Sequence, residues 1–299
     1  MRKFAFRALG FAVRKLTAIN DSITKDENDK TNLAREKHWN DKFGDKEFFD
    51  HSIDSNIKIR LYRDSILSKL IYNGFENAEL DFLRNFLREG DTFFDIGSNI
   101  GLFSLVASTR IGDEGKIFAF EPSPKTYARL KENLKNNNIS DQYVFNIGLS
   151  DKIDKLQLNI SDNGYDAWNS FADSKDGKFS KVQEVDVDTL DNIANRYGVR
   201  NIDLIKLDVE GWEKFVLYGG ERTMKDNSPV IMVEFTEENT FSAGYHVQEL
   251  YDILEAWGYK WYRYIDKKLV FEKKQLHYPY DNLFAIKDID TVNKRLAID

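Results

Sequence analysis

From residue 92 onward, short apolar runs alternate with stretches whose apolar residues recur at helical spacing. Residues 92–96, 117–120, 142–147, 203–207 and 230–235 read as buried strands. Between them, residues 102–109, 125–135, 188–196 and 212–224 read as helices, and a helix at 247–256 precedes two final strands near 259–264 and 283–286. Such strand–helix repetition predicts an α/β fold with a doubly wound, mostly parallel sheet. Ser123 and Pro124 mark the start of the second helix, a capping hydroxyl followed by a residue that needs no N–H there. Upstream, Leu80, Leu83, Phe86 and Leu87 define an amphipathic helix that stops before Gly90. Residues 21–60 are polar, with a hairpin predicted around Asp54, Ser55 and Asn56. The pattern divides the chain into an accessory segment, 1–75, and a main domain, 76–299.

Composition narrows the chemistry. The 299 residues are 41% hydrophobic and 31% charged, the profile of a chain with a substantial core. They include no cysteine, which excludes a thiolate nucleophile, a disulfide, a cysteine-held zinc and an iron–sulfur cluster. A net charge of -7 argues against nucleic acid as a partner. Arg2, Lys3, Arg7, Arg14 and Lys15 crowd the amino terminus, where Phe6, Leu9, Val13 and Leu16 recur at helical spacing. Because Arg7 interrupts the apolar run, neither an export signal nor a spanning helix is expected, and a cytoplasmic location follows. The basic helix suits either an anionic membrane surface or a protein surface.

Three motifs carry the chemistry. In FFDIGSNIG, a buried strand ends at Asp95, turns at Gly97 and enters a helix near Gly101. Ser98 and Asn99 replace the glycine spacing of a pyrophosphate cradle, so the stretch is either a different ligand loop or a tight strand-to-helix turn. Glu121 ends the second strand about twenty residues later, where an acid accepts hydrogen bonds from ribose hydroxyls. Together these two predict a nucleoside-bearing cofactor. The third motif, IKLDVEGWE, places Lys206, Asp208 and Glu210 at alternating positions, and Glu234 ends the following strand. Charges on a central parallel strand are costly unless they reach a polar cleft, although a structural Lys206–Asp208 pair also explains them. Carboxylates so placed suit Mg²⁺ as well as each other, and no metal is predicted. The polar segment 159–181, with Tyr165, Trp168 and Phe171, is either a cover over the cleft or a solvent hairpin. Trp168, Asn169 and His246 are the candidates for acceptor contact. WGYKWYRY reads as core packing of the last strands.

In order and spacing, FFDIGSNIG, FAFEPSP, VDVDTLD, IDLIKLDVEG and PVIMVEF resemble the FkbM family of S-adenosylmethionine-dependent methyltransferases, over residues 76–287. The resemblance implies a Rossmann-like class I methyltransferase sheet of seven strands, the last antiparallel. It also implies Asp95, Gly97, Ser98, Asn99 and Gly101 around the methionine part of the cofactor, and Glu121 with Pro122 and Ser123 at the ribose. Backbone at Gly148 and Leu149 would meet the adenine, with Asp208 adjacent. Ser98 and Trp212 stand where the family more often has alanine and a small residue. The implied activity is O-methylation of a sugar, glycan or small natural-product hydroxyl, and a silent scaffold of the same fold is the alternative. A hydroxyl nucleophile needs a base. Asp208 is the first choice, Glu210 and Glu234 are orienting or alternative bases, and Lys206 is a stabiliser of developing oxyanion charge. A dehydrogenase is disfavoured because the only usable spacing for its Tyr-x-x-x-Lys pair, Tyr127 and Lys131, lies on the wrong helix.

Overall fold

The computed structural model describes residues 36–161, 169–172 and 179–297. The basic amino-terminal helix, Tyr165 and Trp168 lie outside the described residues. The chain divides into two compact units, Met1–Phe49 and Asp50–Asp299. In the first, residues 36–43 are helical, and Trp39, Phe43 and Phe49 pack edge to face with Phe43 at the centre, 4.7 and 4.9 Å from its neighbours.

The second unit is built on an eight-stranded sheet: β1 (Thr92–Ile96), β2 (Lys116–Phe120), β3 (Val144–Phe145), β4 (Leu204–Leu207), β5 (Val230–Phe235), β6 (Lys260–Ile265), β7 (Lys268–Phe271) and β8 (Asp281–Ile286). Their spatial order is β7-β6-β8-β5-β4-β1-β2-β3. Strands β1 to β5 are mutually parallel, and β8 enters antiparallel between β5 and β6. This is the sheet that the sequence implies, with β7 added as an antiparallel edge strand. Every residue of β1, β4 and β5 is buried, because helices cover both faces of a parallel sheet. Phe94 on β1 stacks on Phe118 of β2 at 4.6 Å, and Ile205, Ile231 and Leu207 continue the same core along β4 and β5.

Local differences from the expected elements have physical causes. The predicted helix 212–224 is two helices, Glu213–Gly219 and Glu221–Asn227. A Cβ on Gly219 would lie 1.9 Å from the Ser150 carbonyl oxygen, so the chain passes too close there for any other residue. Ser123 precedes the helix Pro124–Asn136 but caps no N–H with its side chain. Instead its own N–H donates to Glu121 Oε1 at 2.9 Å. The segment read as polar loop is flanked by a long antiparallel pair, Asp154–Ser161 with Phe179–Asp188, which joins Gly148–Leu149 in a three-stranded sheet.

The hairpin of Phe48–Ser52 and Lys58–Tyr62 forms as expected. Its second strand is bound on the other side by Asn133 of the helix Pro124–Asn136 and by Asn137, the residue that caps its end. Asn137 accepts from the Lys58 N–H at 3.0 Å and donates to the Lys58 carbonyl at 2.7 Å, while Asn133 accepts from the Arg60 N–H and donates to the Ile100 carbonyl. No described helix is long and apolar enough to cross a membrane.

Candidate active site

After β3 the chain returns to the opposite side of β1 to form β4, and ligands of such sheets sit outside the carboxyl ends of the strands at this reversal. A cavity of about 320 Å³ opens there. Gly97, Ser98, Asn99, Glu121, Pro122, Asn169, Lys206, Asp208, Glu210 and Glu234 all line it, so the structure brings the three motifs to one place. Asp95, Gly101, Ser123, Gly148 and Leu149 are close in sequence but do not line it, and His246 is an exposed residue outside it.

The turn after β1 is tightly built. Gly97 and Gly101 are left-handed, with φ of 85° and 94°, and so is Asn99 at 47°. Glu121, only 5% exposed, accepts from the Asn99 N–H at 3.1 Å and from the Ser123 N–H at 2.9 Å, joining the ends of β1 and β2. Asp95 accepts through Oδ2 from the hydroxyl and N–H of Ser104, while its buried Oδ1 has no hydrogen-bond partner. Burial pushes its carboxyl above the usual range against the pull of Lys206 and the Ser104 donors.

Beyond β4 lies the charged end. Lys206, 6% exposed, places Nζ 2.6 Å from Asp208 Oδ2 and 4.7 Å from the centre of the Phe103 ring. Burial disfavours its ammonium, but Asp208, Glu76 and Asp95 together outweigh that and raise its pKa. Asp208, Glu210 and Glu234 bring carboxylate oxygens within 4.8 Å of one another. Burial first, and repulsion from Asp208 second, push Glu210 and Glu234 well above the ordinary carboxylate value.

Glu210 is held in a left-handed conformation, φ 53°, followed by left-handed Gly211, whose absent Cβ would meet the Asn239 carbonyl at 2.5 Å. Asn239 donates to Glu210 Oε2 at 2.7 Å, and the Ser170 hydroxyl donates to the Glu210 carbonyl.

Sequence reasoning missed three acidic or phenolic groups. Glu213 accepts from the N–H groups of Val209 and Gly211 and from the Tyr245 hydroxyl, fixing the loop that carries Asp208 and Glu210. Burial raises its pKa to about 7. Glu76 precedes the helix Asn77–Phe86 and lines the cavity with Tyr280. Burial, against the attraction of Lys206, raises Glu76 to about 7 as well. Glu213 was visible as the end of IKLDVEGWE, but nothing local marks Glu76 or Tyr280, which meet across more than 200 positions.

A reversed-order parallel sheet with an acid-terminated second strand and a glycine turn at its switch point is the frame of a class I methyltransferase. The methyltransferase FkbM domain family matches residues 95–261, more than half of the chain, and the chain belongs to that family. It is 25% identical over 174 residues to the 2-O-methyltransferase NoeI of Sinorhizobium fredii, covering 54% of this chain and 70% of NoeI. Over 160 residues it is 29% identical to the hexuronic acid methyltransferase AglP of Haloferax volcanii, covering 52% of this chain and 62% of AglP. The chain thus spans less than two thirds of AglP's length. The methyltransferase FkbM of Methylobacillus flagellatus KT covers 73% of the chain and 54% of its own at 14% identity, with a TM-score of 0.40. S-adenosylmethionine is the methyl donor of this class, and the residues present fit it: Glu121 lines the cavity at the end of the second strand, beside the left-handed turn of Gly97 and Asn99.

Proposed function

We propose that this chain methylates a hydroxyl of a sugar, glycan or small natural-product acceptor. The observation that carries the reading is the meeting of Asp208, Glu210 and Glu234 within 4.8 Å in the same cavity as Gly97, Asn99 and Glu121. S-adenosylmethionine, when bound, supplies a methyl group already activated on a sulfonium. What the protein must add is position and a proton acceptor.

In this reading Glu121 receives the ribose hydroxyls while Gly97 to Asn99 offer close backbone. Asp208 takes the acceptor's proton. Its Lys206 partner, 2.6 Å from Oδ2, holds it in place. Glu210 and Glu234, pushed upward by burial first and by repulsion from Asp208 second, stand beside it as further proton acceptors. Lys206 then faces the oxygen as negative charge develops. Glu213 is a positioning residue, since it touches the loop and not the cavity.

The test is incubation with methyl-labelled S-adenosylmethionine and a panel of glycans and small hydroxyl compounds. Label on an acceptor oxygen is the expected result. Cofactor binding without transfer to any member of the panel would instead favour the silent scaffold.

A further inference from the structure

The charged end of the cavity holds more carboxyl groups than proton removal from a hydroxyl requires. Glu76, Asp208, Glu210 and Glu234 line it against one cation, Lys206, and that ammonium is engaged by Asp208 at 2.6 Å. Glu210 has Asn239 as a donor. Glu234 is 8% exposed, lines the cavity, and has no hydrogen-bond or ion-pair partner among the described residues. Among the described residues the Glu76 carboxylate receives only long contacts, from the Tyr280 hydroxyl at 3.5 Å and Asn282 Nδ2 at 3.4 Å. Asn282 is the cross-strand neighbour of Glu234 in the β5–β8 register, so Glu76 is tied to the place where Glu234 stands. A buried carboxylate without a donor is expensive, and a bound cation relieves the cost.

We propose that Glu234 and Glu76 receive an ammonium group of the acceptor, which is therefore an amine-bearing polyol of the amino-sugar type and not a neutral or carboxylated sugar. The inference rests on the methyl-transfer reading above and names its substrate class. Leu67, Leu70 and Phe75 give the cavity an apolar wall suited to the face of a sugar ring. A carboxylated sugar would find no unengaged cation among the lining residues. A divalent metal fits less well, because two of the three clustered carboxylates already have donors and the Lys206 ammonium stands against Asp208.

The test is saturation-transfer NMR titration of the chain loaded with S-adenosylhomocysteine, using D-glucosamine, D-glucose, D-glucuronate and, separately, magnesium chloride as competitor. D-glucosamine is expected to bind at least about tenfold more tightly than D-glucose, the worth of one charge-assisted hydrogen bond, with D-glucuronate weakest. Glu76→Gln should abolish the preference with S-adenosylhomocysteine affinity unchanged, while Glu79→Gln, outside the cavity, should keep it. Equal affinities, a preference for D-glucuronate, absence of binding by all three sugars, a preference surviving Glu76→Gln, or displacement of D-glucosamine by magnesium would each overturn the proposal. Retained amine preference with label transferred to nitrogen and never to oxygen would overturn the O-methylation reading alone.

Discussion

A Cβ on Gly97 would lie 1.8 Å from the carbonyl oxygen of Asp208. The turn after β1 and the loop after β4 are therefore packed backbone to backbone, and the distance between them is set by the fold. This contact also changes what the glycine is for. The protein's own chain needs it before any ligand arrives.

Gly97→Ala is accordingly expected to destabilise the protein. The left-handed φ of 85° alone costs an alanine about 1–2 kcal/mol, and the collision with Asp208 adds to it. Thermal melting of the ligand-free protein checks this, and a variant as stable as the parent would show that the turn yields without cost.

Glu121→Gln retains the shape but loses the charge offered to the ribose hydroxyls and one acceptor for the Asn99 or Ser123 N–H. The expected loss of S-adenosylmethionine affinity is about 10- to 100-fold, from about 1.5 to 3 kcal/mol for a hydrogen bond to a charged group. Isothermal titration reads it directly, and unchanged affinity would remove Glu121 from the cofactor site.

Asp208→Asn should act twice. It strands the buried Lys206 ammonium, a loss of about 3–5 kcal/mol in stability, and it lowers turnover at least about 10²-fold by removing the proton acceptor. The double variant Lys206→Met, Asp208→Asn separates the two effects: melting temperature should recover because Met can occupy the space over Phe103, while turnover stays low. Recovery of turnover together with stability would make Asp208 a structural partner only.

Glu213 gives the protein a pH-dependent stability. Its pKa is about 7 folded against 4.5 for the unperturbed group, so between these values the folded chain holds a proton that the unfolded chain has lost. Stability is therefore greatest below pH 4.5 with respect to this group, falls as pH rises through the window, and levels off above 7, a total of about 3 kcal/mol. Glu213→Gln should flatten that slope in melts between pH 5 and 8, because an amide does not titrate. A slope unchanged by the substitution would assign it to other carboxyls.

The parallel sheet was legible because β1, β4 and β5 are buried on both faces and so spell mostly apolar runs. β5 was read at its true limits, Val230–Phe235. The loop acids were legible for the opposite reason, since Asp208 and Glu234 interrupt or end such runs. What escaped detection depends on contacts without a local signature. The edge strand β7 is short and mostly exposed, with burial confined to part of Leu269. Strand Asp154–Ser161 is a different case, since Leu156, Leu158 and Ile160 alternate with Lys155, Gln157, Asn159 and Ser161 and so did carry a strand signal that went unread. Glu76 enters the cavity only because Tyr280 and Asn282 return to it from the far end of the chain.

The asparagine clamp on Lys58 and Arg60 bears on strand addition at this edge of the hairpin. A two-stranded ribbon leaves unpaired N–H and C=O groups along its outer margins, and such a margin is a template for another chain's strand. Asn137 meets both polar groups of Lys58, and Asn133 meets the N–H of Arg60, as an adjacent strand's backbone would. Two side chains, one on a helix and one capping its end, thus close that margin of the ribbon without a third strand, and the hydrogen bonds that would invite a second copy to add there are already made.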